Sequence, residues 1–297
     1  MKAPLKLLCS SLLLGAACSQ DNTSLLEPAN WNAISKTWSG AAEVNHYKLK
    51  QNRYDEIREG EAVLIFVREP FLKDRHVKDE WGKGGYQVLK VNFLREFQTG
   101  AYPYRTMMSA FQPLEENSAG KALKTTTSAQ EWCGHVFVQT NRRGGQLQTE
   151  VKSYFEKEDG TTFQTDATTW LEDEIWAALR VDPKGLPVGS FQMIPSHLHS
   201  YFYNHEPKAA EVNGRWLAGK KGKTLIYEIT YSKSGRTLAI EIQKKIPYAI
   251  QSWVERSGTQ KLLSEGKLIA RESNFDYWNY GGETKGKKLR QKLKLRP

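Results

Sequence analysis

The stretch LIYEITY-SKSGRT-LAIEI, residues 225–242, decides the fold class. On both sides of its centre, apolar and aromatic side chains recur at every second position, which is the period of a β-strand with one buried face. The polar segment between the two runs predicts a turn, in which Gly235 can adopt a positive φ without steric cost. The sequence therefore predicts an antiparallel β-hairpin.

Most of the remaining chain repeats this pattern. Runs over residues 247–253 and 261–271 extend the hairpin into a meander. In the first half, residues 62–67 form a short apolar run typical of a strand buried on both faces, and residues 87–93 alternate like the hairpin strands. We expect a mainly β fold of antiparallel meanders that form a β-sandwich or an open barrel, and two related halves are compatible with this pattern.

One helix interrupts the strands, at about residues 169–180. Thr169 and Glu172 have the spacing of a capping box. Leu171, Ile175 and Leu179 recur at i, i+4 and i+8, which places them in a single apolar stripe. We therefore expect one amphipathic helix that connects or covers the two β-rich portions.

The first eighteen residues have the pattern of an export signal. Lys2 and Lys6 precede an apolar run over residues 7–17, which is too short to cross a bilayer because a spanning helix takes about 20 residues. The run ends in Leu-Gly-Ala-Ala before Cys18 and resembles the lipobox of bacterial lipoproteins, although Gly15 stands where leucine is commonest. In those proteins the cysteine is acylated and becomes the new N-terminus. The alternative is an ordinary cleaved signal.

The lipobox resemblance implies an exported protein that acyl groups on Cys18 hold in the bacterial cell envelope, in the outer membrane. Each buried methylene of such a chain contributes ~0.8 kcal/mol. The sequence divides into a lipoprotein signal (1–17), a tether (18–38), an N-terminal β-rich portion (39–165), a helix with its connection (166–210), a C-terminal β-meander (211–280) and a basic, disordered tail (281–297).

The formal net charge of +10 comes mostly from the two ends of the chain. Lys2 and Lys6 contribute +2, and residues 281–297 contribute +6, which leaves +2 for residues 19–280. A nucleic-acid-binding body would be basic throughout, so no nucleic acid partner is expected. The tail can contact anionic lipid or lipopolysaccharide, and a solvated tail without a partner is the alternative.

Cys133 and His135 are the candidate catalytic pair. If residues 131–135 formed one strand, Glu131, Cys133 and His135 would share a face, about 6.6 Å apart per step, so a base would stand beside a nucleophile. No cysteine-hydrolase signature surrounds the pair. A buried, structural Cys133 beside Trp132 is the simpler interpretation.

His197, His199 and His205 are the candidate metal ligands. Two histidines at i and i+2 on a strand can bind one ion. The set lacks the compact spacing of known metal motifs, and tyrosine and phenylalanine at positions 201–203 favour simple packing. We therefore predict no metal and no other cofactor.

Tyr277, Trp278 and Tyr280 form the densest aromatic cluster. Exposed rings of this kind can stack on sugars, which makes the three residues candidate ligand-binding groups for a glycan. The simpler interpretation is that they fill the rim or core of a sheet.

Four segments resemble a family of uncharacterised envelope lipoproteins from Bacteroidota-type bacteria. They are GEAVLIFVREPF (60–71), SAQEWCGH (128–135), LEDEIW (171–176) and DYW (276–278). The resemblance covers roughly residues 35–280 and leaves out the signal and the tail. Members of that family have no established activity, so the resemblance assigns no role to any residue.

Genomes often label members of this family "septum formation inhibitor Maf". True Maf proteins are cytoplasmic nucleotide pyrophosphatases with an α/β fold and a Ser-Pro-Arg-Arg motif near the N-terminus. Here that region is the predicted signal, and the motif does not occur. We expect the label to be a misnomer.

These observations together indicate a membrane-tethered envelope lipoprotein that acts as a non-catalytic binding or scaffold module. The sequence leaves two alternatives open. One is an envelope hydrolase that uses Cys133 and His135, and the other is a glycan-binding lipoprotein that uses Tyr277, Trp278 and Tyr280.

Overall fold

A computed structural model of the protein describes Leu26 and residues 29–115 and 120–296. The predicted signal and Cys18 lie outside the described residues. The described chain is mainly β, as predicted, and its strands form one large, open sheet in which nearly all neighbours are antiparallel.

Sixteen strands and four α-helices occur in the described residues. The strands are β1 (Ala42–Arg53), β2 (Glu56–Leu72), β3 (Val77–Lys78), β4 (Tyr86–Gln98), β5 (Pro103–Pro113), β6 (Lys124–Glu131), β7 (Gly134–Arg143), β8 (Gln146–Ser153), β9 (Thr162–Asp166), β10 (Trp170–Leu171), β11 (Gly189–Ile194), β12 (Ala210–Ala218), β13 (Thr224–Tyr231), β14 (Thr237–Gln243), β15 (Ile250–Arg256) and β16 (Leu262–Phe275). The helices are α1 (Trp31–Thr37), α2 (Ile175–Val181), α3 (His197–Tyr203) and α4 (Glu283–Lys292).

The hairpin that decides the fold class is present. β13 pairs with β14 in register from Thr224↔Gln243 to Thr230↔Thr237, and Gly235 has a φ of 66° in the turn. The two β-rich portions are not separate, because β1 pairs with both β2 and β16 and so joins them into one sheet. The open-barrel alternative is therefore the correct one, and the strands do not stack as a sandwich.

The sheet curls until its two edges meet, without closing through hydrogen bonds. Its strand order runs from β10 to β9, and only residues 167–169 separate these two edge strands along the chain. Leu147 of β8, Leu171 of β10 and Ile194 of β11 form a small buried cluster across this gap. Side-chain packing thus joins the edges where the backbone ladder stops.

Two rows of turns, one at each end of the strands, are used below as landmarks, and they are distinct from the edge strands β9 and β10. Because consecutive antiparallel strands reverse direction, the turns at residues 54–55, 99–102 and 132–133 lie along one edge, which we call the upper edge. The turns at residues 144–145 and 244–249 lie along the opposite edge, which we call the lower edge.

The predicted helix is present, but it is shorter and more deeply buried than an amphipathic helix. It begins with a 3₁₀ turn at Glu172–Glu174 and continues as α2, in which every residue is buried. The predicted capping box does not form, because the Glu172 side chain pairs with Arg236 and the Leu171 amide donates to Glu174 instead. The sheet surrounds this helix, so no face of it is left for solvent.

Residues 62–67 were predicted to be buried on both faces, and this is wrong. They form the middle of the 17-residue strand β2, in which Ala62, Leu64 and Phe66 are buried while Val63 and Ile65 are only half-buried. One face packs inside the curled sheet, and the other face lies nearer to solvent.

Two segments near the ends of the described chain are more ordered than predicted. Within the predicted tether, residues 31–37 form α1, and Ile34 and Trp38 pack in the main core. The predicted disordered tail instead forms α4, and the Leu293 side chain that follows it is buried. The His46 Nδ1 lies 2.8 Å from the Leu293 carbonyl oxygen, which fixes the end of α4 on the outside of β1.

Gly266 lies at the centre of the core, and we expect its substitution to have a strong effect on stability. A Cβ at Gly266 would lie 2.0 Å from the Trp253 ring, which itself packs against Tyr47, Phe93 and Trp176. We expect Gly266→Ala to lower the free energy of unfolding by about 1–3 kcal/mol, because the ring cannot move without repacking the core. Urea unfolding followed by circular dichroism measures this change.

Gly100→Ala is the matched control, because nothing lies within 4 Å of a Cβ at that position and its φ is not positive. A Trp253→Leu background should relieve much of the cost of Gly266→Ala. Equal effects of the two alanine substitutions would contradict the packing argument.

Candidate functional site

The interior of the sheet holds an unusual number of charged side chains. Glu172, Asp173, Glu174 and Arg180 are each at most 3% exposed. Such burial is costly unless every charge is paired or hydrogen-bonded. Their partners come from well-separated strands, so the segment 172–180 is fixed to the sheet at several points.

Glu172 begins a connected ionic chain. Both of its carboxylate oxygens accept hydrogen bonds of 2.6 Å from Arg236, which in turn donates to Glu255 at 2.7 Å. Glu255 also lies 2.8 Å from His199 Nδ1. Burial opposes the charge on Arg236, but Glu172 and Glu255 outweigh it and raise the Arg236 pKa.

A cavity of about 10 Å³ lies beside this ionic chain, lined among others by Arg95, Glu172, His199 and Tyr203. That is the space of a single water molecule. Because every carboxylate in the chain already has a cationic partner, the arrangement is suited to holding the structure together. It leaves no room for an organic substrate.

The three candidate metal ligands do not converge. His197 and His199 could bind one ion from a strand, but they lie in the first turn of α3 and contact different partners. His197 Nε2 lies 3.1 Å from Thr140 Oγ1, whereas His199 contacts Glu255 and stacks on His205 with ring centroids 5.5 Å apart. Within the described residues, no three His, Cys, Asp or Glu side chains form a metal-binding group.

The candidate catalytic pair lies at the upper edge, and its predicted strand geometry is wrong. Glu131 ends β6 and Gly134 begins β7, so Trp132 and Cys133 form the turn between them. Cys133 and His135 are both exposed. The burial predicted by the structural interpretation of Cys133 is therefore also wrong.

The environment of Cys133 opposes nucleophilic chemistry. The thiol contacts the Glu131 carboxylate, and this hydrogen bond raises the Cys133 pKa. A raised pKa reduces the thiolate fraction, which is the reactive form. Glu131 Oε2 also accepts a hydrogen bond of 2.6 Å from the Cys133 amide, so the carboxylate is held beside the sulfur.

Three tyrosines meet at the upper edge, beside Cys133. The Tyr54 hydroxyl lies 3.0 Å from that of Tyr102 and 2.8 Å from that of Tyr104. The Arg53 guanidinium donates to Tyr104 and stands 4.4 Å from the centre of the Tyr54 ring. Burial opposes ionisation of Tyr54, but the hydrogen bonds of Tyr102 and Tyr104 outweigh it and lower the Tyr54 pKa.

Two large exposed rings extend this tyrosine cluster along the edge. Trp132 is 74% exposed and stacks on Tyr102, with ring centroids 6.0 Å apart. Tyr154 is 75% exposed and packs over Gly134, where a Cβ would lie 2.9 Å from its ring. We call Tyr54, Tyr102, Tyr104, Trp132 and Tyr154 the aromatic rim.

The aromatic rim includes a residue held in an unfavourable backbone conformation. Tyr54 and Asp55 have φ values of 55° and 61°, in a two-residue turn where asparagine and glycine are usual. Such conformations cost of order 1–3 kcal/mol and cluster at functional sites. The sequence contains one weak indication of this rim, because the aromatic Tyr54 precedes the acidic Asp55 in a tight β-turn.

The C-terminal aromatic cluster is less open than the rim. Tyr277, Trp278 and Tyr280 lie in a 3₁₀ turn after β16, on the outside of the sheet. Trp278 is 51% exposed, but Tyr277 packs edge-on against it and Tyr280 packs against Phe275. Single rings, not a continuous platform, are presented to solvent.

The described residues thus form an open antiparallel sheet that curls around a buried, charged helix and carries an aromatic rim on one edge. A crystal structure of a β-barrel-like protein of the domain of unknown function DUF1849, from Brucella abortus, is similar. It is 13% identical, the alignment covers 78% of this chain and 97% of that chain, and the TM-score is 0.44. No protein-family model and no curated protein matches the sequence.

Asp173 and His197 predict opposite effects of pH on stability. Burial raises the Asp173 pKa to about 6, so its contribution to the free energy of unfolding falls as pH rises from its unfolded value of 3.8 toward 6. Burial lowers the His197 pKa to about 4, so its contribution rises with pH up to its unfolded value of 6.5. The two contributions largely cancel in the native protein.

Asp173→Asn should therefore reveal the histidine contribution. Between about pH 4 and pH 7, the variant should gain about 2 kcal/mol of stability relative to the native protein, measured by urea unfolding. His197→Asn should show a change of similar size and opposite sign. The exposed His135→Asn is the control, and parallel pH profiles for all four proteins would rule out this account.

Proposed function

We propose that this protein is an exported lipoprotein of the cell envelope, tethered to the outer membrane through Cys18, whose body acts as a non-catalytic binding module. The proposal includes membership of the uncharacterised Bacteroidota-type lipoprotein family, for which the Maf label is a misnomer. The observation that carries the binding function is the aromatic rim, which presents Trp132 and Tyr154 to solvent on a rigid sheet edge.

One observation in the sequence supports the tether. The apolar run over residues 7–17 ends at a lipobox-like sequence before Cys18. Of the helices in the described residues, none is both long enough and apolar enough to span a bilayer.

The aromatic rim has the properties of a ligand-binding surface. Large exposed rings are expensive to leave in water and are enriched where proteins bind other molecules. The hydroxyl groups of Tyr54 and Tyr102 add polar groups, the hydroxyl of the buried Tyr104 holds that of Tyr54 in position, and Arg53 adds a positive charge. The backbone of Tyr54 is strained, so the position of its ring is maintained at a cost to stability.

The rim chemistry favours binding over hydrolysis. A cysteine hydrolase needs a base that withdraws the thiol proton, whereas Cys133 contacts the Glu131 carboxylate, which raises the thiol pKa. The neighbouring rings of Tyr102 and Trp132 are suited to stacking. These contacts favour the binding function over the hydrolase alternative at this position.

Acylation of Cys18 has a direct test. Metabolic labelling with palmitate should mark the native protein and should not mark Cys18→Ala, because the thiol is the predicted acceptor of the lipid. Cys133→Ala is the matched control and should label like the native protein. Equal labelling of the native protein and Cys18→Ala would refute the tether.

The binding function predicts that the rim determines what the protein retains. When the tethered protein is purified from membranes, the molecules that co-purify should fall at least about tenfold for the Trp132→Ala, Tyr154→Ala double variant, because stacking contributes about 0.5–1.5 kcal/mol per ring beyond burial. Mass spectrometry measures the co-purified molecules, and circular dichroism confirms the fold.

Trp81→Ala is the matched control, because Trp81 is 80% exposed and lies in the loop before β4, away from the rim. Trp278→Ala tests the C-terminal cluster separately. If Trp278→Ala abolishes retention and the rim variant does not, the ligand binds at Tyr277, Trp278 and Tyr280, and the rim proposal fails.

A further inference from the structure

The upper and lower edges of the sheet differ in charge. Lysines crowd the lower edge, in the turns at residues 219–223 and 244–249, and all of those named here are exposed except the half-buried Lys244. Lys220 and Lys223 belong to the first turn, and Lys244 and Lys245 belong to the second. The loop at residues 73–85, on the same edge, mixes both signs.

The upper edge carries no such excess. Asp55 and Lys261 pair there at 2.7 Å, next to the aromatic rim. The loop at residues 154–161 contains Glu156, Glu158 and Asp159 against Lys157. A charged surface that approached this molecule would therefore meet different electrostatic potentials at the upper and lower edges.

The C-terminal helix adds to the positive charge near the lower edge. α4 follows β16, whose last residue lies on that edge, and it packs on the outside of β1 and β2. Leu293 is its buried contact, and the Arg296 amide donates to Glu61. Lys292 pairs with Glu272, whereas Lys285, Lys287 and Lys288 are exposed.

The arrangement of α4 changes what its charges can do. A disordered tail would spread them over a large volume, but a docked helix holds them in one place relative to the sheet. An anionic bilayer attracts each nearby Lys or Arg by about 1 kcal/mol, and the attraction falls off within a Debye length. Fixed lysines on one side of a rigid body therefore orient that body.

An open groove of about 360 Å³ continues the basic surface. It lies between α1 and the end of β16, where Lys36 and Arg271 line it together with Trp38 and Pro247. Glu43 also borders the groove, but both of its oxygens are held by Arg180 at 2.8–2.9 Å. The free charge of the groove is consequently positive, as a phosphate-bearing headgroup requires.

The chain enters the fold on this side as well. α1 borders the groove, and Leu26, which precedes it, is buried in the main core. Eight residue steps separate Leu26 from Cys18, a reach of less than about 30 Å even when fully extended. A lipid on Cys18 would therefore keep the basic surface close to the bilayer.

We infer that the lower edge of the sheet, with α4 and the groove beside α1, lies against an anionic phospholipid surface, so that the aromatic rim points away from the membrane. This inference rests on the proposed lipid tether. It adds an orientation that the tether alone does not impose, because a lipid on one residue limits the distance of the body from the bilayer but does not decide which surface faces it.

Vesicle binding tests the surface without the lipid anchor. The full chain carrying Cys9→Ser and Cys18→Ser cannot be acylated at those positions, so any co-sedimentation comes from the protein and not from an attached lipid, and the segment at residues 1–17 is the same in every variant compared. It should bind vesicles of phosphatidylglycerol and phosphatidylethanolamine at least about tenfold more tightly than vesicles of phosphatidylcholine. About 0.5 M NaCl should abolish the difference.

Charge variants locate the binding surface. Lys285→Gln, Lys287→Gln and Lys288→Gln together should weaken binding to the anionic vesicles about tenfold or more. The matched control is the triple variant Lys152→Gln, Lys157→Gln and Lys233→Gln, whose exposed side chains lie at or near the upper edge, and it should bind like the parent chain. Equal losses in both triple variants would overturn the assigned surface.

Fluorescence quenching tests the orientation. In the parent chain Cys133 is the remaining thiol, so a dye on it reports the upper edge. A second chain with Cys133→Ser and Lys245→Cys reports the lower edge. Brominated anionic lipids should quench the dye at position 245 and leave the dye at position 133 unquenched, and the reverse pattern would refute the orientation.

Failure of this inference is separable from failure of the proposed function. Palmitate labelling reports the anchor, and retention by rim variants reports ligand binding. Equal affinity for anionic and neutral vesicles would overturn the membrane-facing surface alone, even if Cys18 is acylated.

Discussion

The fold depends on the need to pair the charges that residues 172–180 carry into the core. An uncompensated buried charge costs several kcal/mol, so each one requires a partner at hydrogen-bonding distance. Arg236 meets Glu172, Arg142 meets Glu174, and Glu43 meets Arg180. Because these partners stand on, or next to, strands far apart in the sheet, pairing all of them at once requires the sheet to curl around the helix.

The same pairing explains what keeps the two edge strands, β9 and β10, next to each other. Where β9 and β10 fail to form a ladder, Glu174 accepts hydrogen bonds from the backbone amides of Ala122 and Leu171, and both of its oxygens also accept from Arg142 Nη2. One carboxylate therefore links both sides of the seam. Edge strands that would otherwise expose unpaired backbone groups are covered by side-chain contacts from the interior.

Local patterns predicted the parts of the structure that local forces determine. The hairpin around Gly235 and the almost entirely antiparallel pairing follow from period-2 alternation and turn chemistry, which act over a few residues. The position of the helix also followed from its apolar spacing. Its burial did not, because the carboxylates of Glu172 and Glu174 look solvent-exposed until Arg236 and Arg142 are known to be nearby.

The candidate sites show the same limit. Cys133 and His135 were placed on one strand because period alone cannot reveal that a two-residue turn falls between β6 and β7. The aromatic rim had only a weak signal in the sequence, since Tyr54 and Tyr102 come from two different turns and Tyr104 from β5, and only the sheet brings them together. The tail was predicted to be disordered because its charges outnumber its apolar residues. Leu293 and the His46 contact supply order that composition does not show.

The upper and lower edges of the sheet are chemically distinct because the strands between them are rigid and antiparallel. Each hairpin turn is committed to one edge, so the aromatic rim and the lysines at residues 220–245 are held at opposite ends of the strands. Tyr54 keeps its strained conformation at one edge, and Lys245 stays exposed at the other. If the proposed ligand binds at the rim and the proposed membrane surface is the lower edge, neither contact displaces the other.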